Sequence, residues 1–248
     1  MGVLYIFQRE VRSYFQSFIA YMVIAIFLVL AGYFFYTDLI MHVMWSFHKA
    51  DFDRIWEYYF NSDLRYVIMI VIPLLTMRLF AEEKKLGTIE LLWTYPIRDW
   101  ELLAGKYAAS LLLLLVMLGL SLTYPLIAYL LYDIDMTAVI AGYLGLLLLG
   151  SSCIACGILI SSLTENQILA ALGSYGLLLM FWFLTWNEAA ASESVIKVLL
   201  NLSLFDRLVT FTRGAIDVKD LIFFVNFHGF FLLLTMISLS ARMWKGVR

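Results

Sequence analysis

Long runs without charged residues recur along the chain and predict helices that cross a bilayer. A spanning helix needs about 20 mostly apolar residues, and six segments of the sequence approach or exceed that length. The predicted spans are residues 18–37, 64–81, 107–131, 137–163, 167–187 and 221–241. The second span is the shortest, because only 12 uncharged residues separate Arg65 from Arg78. Both arginines would have to extend toward opposite headgroup layers, and a re-entrant or interfacial segment is the alternative there.

Two further segments predict helices that do not cross the membrane. Ahead of the first span, apolar residues recur at helical spacing from Leu4 to Phe18, while Arg9 and Arg12 fall on the opposite face. This pattern is typical of an amphipathic helix in the membrane interface, although it could also extend span one. Residues 188–220 keep apolar helical spacing but carry too many charges to cross, so we expect a short re-entrant helical pair at the outer face. The whole chain, residues 1–248, is predicted to be one all-α membrane domain.

Composition excludes several other classes of protein. Of 248 residues, 63% are hydrophobic and 15% are charged, whereas soluble proteins average about 45–50% and about 25%. A formal net charge of -2 gives no basic field for nucleic acid. The two cysteines, Cys153 and Cys156, lie in one apolar run without a nearby histidine or carboxylate. Close helix packing is therefore favoured over a disulfide or metal site.

The distribution of lysine and arginine predicts the orientation of the spans. With six spans, both termini lie on the same side, and that side carries ten of the 17 cations in short flanking segments. Short basic segments remain in the cytoplasm. We therefore expect a protein of the cytoplasmic (inner) membrane with both termini cytoplasmic. The ten cations are Arg9, Arg12, Arg78, Lys84, Lys85, Arg98, Lys106, Arg242, Lys245 and Arg248.

The densest polar segment lies between the second and third predicted spans. Gly87 allows a sharp turn, Thr88 is suited to cap a helix that begins there, and Glu90 would lie in the first turn of that helix, near its positive end. Pro96 would end it. The pattern predicts a short helix parallel to the membrane that offers charge and apolar surface to a soluble partner. An ordinary solvated loop is the alternative.

This segment resembles the cytoplasmic signature of ABC-2 type permeases, the membrane subunits of one class of ATP-binding cassette exporters. The matching residues are Glu82-Glu83, Gly87-Thr88-x-Glu90-Leu91-Leu92, Pro96 and Lys106. The resemblance implies an amphipathic N-terminal helix, six spans and a re-entrant pair between spans five and six, as the residue pattern also suggests. The opening residues 7–21 further resemble the gliding-motility-associated branch of these permeases.

The resemblance also implies partners. No G-x-x-x-x-G-K-[ST] sequence occurs, so we expect no enzymatic activity and no cofactor here, with ATP and magnesium bound by a separate cassette subunit. That cassette would bind the coupling segment, residues 82–97. A second copy of the chain or a related permease would complete the transporter within membrane lipid, and an auxiliary membrane protein is a further candidate partner. The expected cassette-binding residues are Glu82, Glu83, Lys84, Lys85, Gly87, Thr88, Glu90, Leu91 and Leu92.

Other functions are less well supported by the sequence. Between residues 107 and 187 the charged residues are Asp133, Asp135 and Glu165, and all three fall at span ends. An enzyme or an ion-coupled secondary transporter would need facing titratable groups within the bilayer. The ion-coupled transporter, and a structural or assembly protein of an envelope complex, stay open as alternatives. His228 lies within the last span, where an interhelical hydrogen bond is the favoured interpretation.

Overall fold

The computed structural model describes residues 2–45, 56, 59–88, 98–131, 136–183 and 203–240, and within these ranges regular structure is helical, with no strand. The predicted all-α class is therefore confirmed. A π-helical turn, Tyr59–Leu64, leads into α3. The helices are α1 Gly2–Gln16, α2 Phe18–Trp45, α3 Arg65–Thr76, α4 Ala81–Lys85, α5 Asp99–Ser121, α6 Thr123–Leu131, α7 Met136–Leu163, α8 Gln167–Phe183, α9 Leu208–Thr212 and α10 Val218–Ser240.

Five described helical segments are long and apolar enough to cross a membrane. They are Phe18–Met41, Ser62–Lys85, Asp99–Leu130, Met136–Leu163 and Val218–Ser240. The remaining apolar helix, α8, has 17 described residues, and the segment that follows it, 184–202, lies outside the described residues. The chain is thus a multi-pass membrane protein, and the count of six spans stays a prediction.

Helices α3 and α7 form the centre of the bundle. About 72% of the apolar window of α7 and 67% of that containing α3 is buried, against 28% for α2 and 17% for α10. Helix α7 packs against α3, α5, α8, α9 and α10. Because lipid is as apolar as a protein core, the exposed faces of α2 and α10 can remain hydrophobic. The centre is consequently the part of the bundle where packing must be tightest.

Small residues let other helices approach α7 closely. A side-chain carbon added at Gly145 would lie 2.7 Å from Phe211, and one added at Gly150 would lie 2.7 Å from Leu114. Cys153 and Cys156 follow these two glycines in α7 and are buried and free. They occupy packing positions in the helix interface, which is the arrangement that small residues favour in membrane bundles.

The amphipathic helix α1 is distinct from the first span. The two helices meet at Ser17, whose hydroxyl accepts a hydrogen bond from the Ile19 amide at 3.3 Å. This is the position and chemistry of a helix N-cap. Helix α1 packs mainly along α5 and also touches α2, with Ile6 fully buried. The end of the bundle that carries α1 and α4 is called the α1 end below.

The opposite end is closed by aromatic packing and by an ion pair. Phe60 packs edge-on against Tyr143 at a centroid distance of 5.2 Å. Helix α9 is attached to α10 by Arg207, which lies 2.5 Å from Asp220. Gly214, with a φ of 77°, follows the end of α9. Residues 188–202 of the predicted re-entrant pair (188–220) lie outside the described residues, and α9 is the helix that the described remainder of that segment contains before α10 begins.

Candidate functional site

The polar segment after α3 begins at a break in the helix. Helix α3 ends at Thr76, and α4 starts at Ala81 after one turn. The Ser161 hydroxyl accepts hydrogen bonds from the amides of Phe80 and Ala81 at 3.1 and 3.2 Å and donates to the Met77 carbonyl at 3.2 Å. Buried backbone groups freed by a break must find such partners. One serine of α7 therefore fixes the direction in which α4 leaves the bundle.

Two cations and two carboxylates form a closed ring beside this break. The Lys106 Nζ lies 3.0 Å from Glu10 Oε1 and 2.9 Å from Glu83 Oε1. Arg9 Nη2 lies 2.6 Å and 2.7 Å from the same two oxygens. The four residues are called the ion-pair ring. Its members come from three elements, α1, α4 and α5, so the ring joins the α1 end into one unit.

The ion-pair ring is partly removed from solvent. Lys106 is 1% exposed, and its Nζ lies 5.2 Å from the centroid of the Phe80 ring. A buried ammonium must be paired to remain charged. Burial alone would raise the pKa of Glu10, but the neighbouring charges of Lys106 and Arg9 outweigh it and lower that pKa below its ordinary value. Glu10 is therefore ionised in the ring near neutral pH.

The predicted cassette-binding residues divide into two groups. Glu83 faces inward, its side chain 16% exposed, and Lys84 donates a hydrogen bond to the Ser162 carbonyl of α7. Glu82 is 38% exposed and lies 3.8 Å from Arg78, and Lys85 is exposed. The structure thus places one carboxylate and one ammonium of the Glu82–Lys85 run inside the bundle and leaves the other two outside.

The turn after α4 continues the exposed surface. Gly87 has a φ of 69°, the left-handed conformation that glycine adopts without strain. The Thr88 hydroxyl donates to the Glu83 carbonyl at 3.3 Å, so it hydrogen bonds back to α4. The forward cap that the sequence predicts belongs to a helix outside the described residues. Glu90, Leu91 and Leu92, which carry the rest of the predicted coupling helix, lie outside the described residues.

The ion-pair ring was not predicted from the sequence, although the position of Glu10 along α1 indicated one of its members. Glu10 follows Ile6 by four residues and precedes Tyr14 by four, so it falls on the face of α1 that packs against α5. A carboxylate on a packed face requires a cation opposite it. The pairing with Lys106 was not visible, because 96 residues separate the two.

The last span contributes a separate polar contact. His228 Nε2 lies 2.8 Å from the Ser151 hydroxyl of α7, and its Nδ1 faces the Phe224 carbonyl of its own helix. A carbonyl only accepts, so Nδ1 donates to it, while Nε2 and the Leu148 carbonyl, 2.9 Å from the same hydroxyl, share the Ser151 proton. Both ring nitrogens are satisfied in a contact between α7 and α10. This is the interhelical hydrogen bond that the sequence favoured.

Comparison with known families gives one match. The family model described as ABC-2 family transporter protein matches residues 46–205 of the chain. The matched range includes α3, α4, α5 and α7, and it therefore contains Glu83 and Lys106 of the ion-pair ring. Comparison with curated proteins finds no similar sequence.

Proposed function

The chain belongs to the ABC-2 family of transporter proteins, and from that premise we propose that ATP hydrolysis by a separate cassette subunit drives it through the coupling segment 82–97. The chain is a membrane permease of an ABC transporter, a class of subunit that is normally not an enzyme. The family implies an ATP-binding cassette partner in general. In the proposal the α1 end faces the cytoplasm, the protein lies in the inner membrane, and two permease chains, identical or related, form the transporter.

The proposed docking surface is the exposed part of the coupling segment. It comprises Glu82, Lys85, Gly87 and Thr88, which are exposed or half-buried, and it continues into the segment that holds Glu90, Leu91 and Leu92. Charged groups at the rim of an interface guide orientation, and apolar groups at its centre supply affinity. In this proposal Glu83 and Lys84 act from inside, since their contacts within the chain fix the direction of α4.

The ion-pair ring is the observation that carries the proposal. A displacement of α4 is transmitted to α5 through the contact between Glu83 and Lys106, and to α1 through the contact between Glu83 and Arg9. The hydrogen bonds of Ser161 pass the same displacement to α7. Rigid elements joined by short ionic contacts move together, which is what coupling between two sites requires. The docking surface on α4 is thus connected directly to three other helices, α1, α5 and α7.

The test compares two adjacent carboxylates in the reconstituted permease and cassette complex. Glu83→Gln should leave the cassette bound but reduce its permease-dependent ATPase activity. The reason is that the uncharged side chain no longer makes the ionic contacts that transmit a displacement of α4 to α5 and α1. Glu82→Lys should instead lower the amount of cassette that co-purifies. Both variants must first show helicity equal to that of the parent chain. If both variants bound the cassette and stimulated its ATPase activity as the parent does, the proposed coupling role of this segment would be contradicted.

The same purification addresses the finer assignment. If the chain belongs to the gliding-motility-associated branch, as residues 7–21 suggest, an auxiliary membrane protein should co-purify with permease and cassette. Recovery of the permease and cassette alone, in native lipid and without crosslinker, would argue for another branch. The family assignment does not depend on this result, because it rests on residues 46–205.

A further inference from the structure

A cavity of about 790 Å³ opens at the α1 end, between α1, the start of α2, the end of α3 and α4. Its size lies within the range of small-molecule binding sites. One side is polar and is formed by α1 residues such as Gln8, Arg12 and Ser13. The other side is apolar and includes Val23 of α2 and Leu74 of α3. The cavity therefore joins a polar surface to an apolar one within a single space.

Some of the charged side chains that line the cavity form ion pairs with each other, and others do not. Glu10 and Glu83 are neutralised by Arg9 and Lys106 in the ion-pair ring. Two other arginines line the same space. Arg12 is exposed and makes no ion pair among the described residues.

The second of these arginines is Arg78. Its Nε is buried without a hydrogen-bond partner in the described part of the chain. Glu82 is the third acidic residue that lines the cavity. Its carboxylate lies 3.8 Å from the Arg78 Nε, which is beyond hydrogen-bond distance. Arg12 and Arg78 therefore both line the cavity, and neither guanidinium has a carboxylate within hydrogen-bond distance in the described part of the chain. Guanidinium groups bind phosphate oxygens through paired hydrogen bonds.

The position of the cavity favours a lipid over a soluble anion. Helix α1 has the pattern of a helix that lies in the membrane interface, at the depth of lipid headgroups. From there the apolar wall formed by Val23 and Leu74 runs along α2 and α3, which belong to membrane-spanning segments. A soluble anion would use only the polar side and would leave this wall facing water.

We propose that this cavity binds one anionic phospholipid, with the headgroup phosphate between Arg12 and Arg78 and an acyl chain along Val23 and Leu74. Basic pockets between membrane helices are suited to anionic headgroups. The cavity borders the docking surface at Glu82, but the proposed phosphate position between Arg12 and Arg78 requires no partner protein. Its occupancy can therefore be measured on the permease alone.

The experiment measures lipids retained by the full chain in native mass spectrometry. Detergent-purified protein is mixed with phosphatidylglycerol or phosphatidylcholine at matched concentrations, and the ratio of bound phosphatidylglycerol to bound phosphatidylcholine is recorded. We expect the parent to prefer phosphatidylglycerol, and we expect that preference to fall about fivefold for each arginine removed, in Arg12→Gln and in Arg12→Gln with Arg78→Gln. Arg12→Gln alone tests the site without disturbing the fold, because Arg12 is exposed.

Matched controls separate this site from general surface charge. Lys85→Gln removes an exposed cation at the same end, and Lys219→Gln removes one from the opposite end; both should keep the parental preference. An unchanged preference in Arg12→Gln, or an equal loss in Lys85→Gln, would overturn the proposal. Displacement of phosphatidylglycerol by millimolar inorganic phosphate would also overturn it, because the site would then bind a soluble anion. None of these results depends on the cassette.

Discussion

Replacement of Lys106 by methionine tests how strongly the ion-pair ring holds the α1 end together. The Lys106 ammonium contacts two carboxylates at 3.0 and 2.9 Å and is 1% exposed. Methionine keeps much of the side-chain volume but leaves Glu10 and Glu83 with Arg9 as their remaining cation in the ring. Removing one partner from a buried ion pair costs about 3–5 kcal/mol. We expect a loss of that order in the free energy of unfolding.

The chain contains its own reporter for this measurement. Cys153 and Cys156 are free and buried in α7, so a thiol-reactive fluorescent dye labels them only when the bundle opens. For a chain of this size, each kcal/mol shifts the unfolding midpoint by about 2–4 °C. Lys106→Met should therefore lower the midpoint of dye labelling on heating by about 10 °C.

Two comparison variants decide whether the effect comes from the ring. Lys85→Met removes an exposed lysine from the same end and should shift the midpoint by less than about 2 °C. Lys106→Met combined with Glu83→Gln restores the charge balance and should recover at least half of the loss, since residues in one network are not additive. The reasoning is refuted if Lys106→Met and Lys85→Met have the same midpoint of dye labelling. It is also refuted if the loss in the double variant equals the sum of the losses in Lys106→Met and Glu83→Gln.

Three further predictions use the same dye assay. Ser161→Ala leaves two buried amides without their acceptor and should cost about 2–4 kcal/mol, whereas Ser162→Ala should cost less; equal losses would contradict the capping role. Gly157→Val should lower the midpoint because the added carbon meets Thr76 of α3, and adding Thr76→Ala should recover part of the loss; no recovery would count against this contact. Glu10, whose pKa is lowered in the fold from 4.5, contributes stability that is full above about pH 4.5 and is lost as the pH falls further. Glu10→Gln should therefore flatten the fall in midpoint below about pH 4.5, and an unchanged slope would exclude this origin.

The sequence was sufficient to predict the all-α class and the five long apolar helices that the described residues contain, for a simple physical reason. A span needs a long uncharged run, and such runs remain visible without any tertiary information. The amphipathic α1 follows in the same way from local spacing, whereas its separation from α2 at Ser17 is seen in the structure, because the sequence also allowed α1 to extend span one. The presence of Gly87 likewise predicted the turn after α4, because few other residues adopt a positive φ without strain.

Side-chain partners could not be predicted from local pattern. From the sequence, Lys106 is one of the cations that orient the spans, and Glu83 is a predicted contact for a cassette. Their mutual contact depends on how α1, α4 and α5 pack, and a pattern of local spacing contains no such information. Ser161 was one of many small residues in an apolar helix, and its role becomes clear only when the break after α3 is placed beside it.

Crosslinking from the coupling segment tests the central claim most directly. A photoreactive amino acid is placed at Lys85 and, as a matched control, at Lys219 near the opposite end, and intact cells are irradiated. We predict that position 85 forms an adduct with a protein that carries a nucleotide-binding cassette, and that position 219 does not. An adduct with the cassette at position 219, or labelling of a cysteine at position 85 by an impermeant thiol reagent added outside the cells, would contradict the claim that a cassette binds this segment from the cell interior.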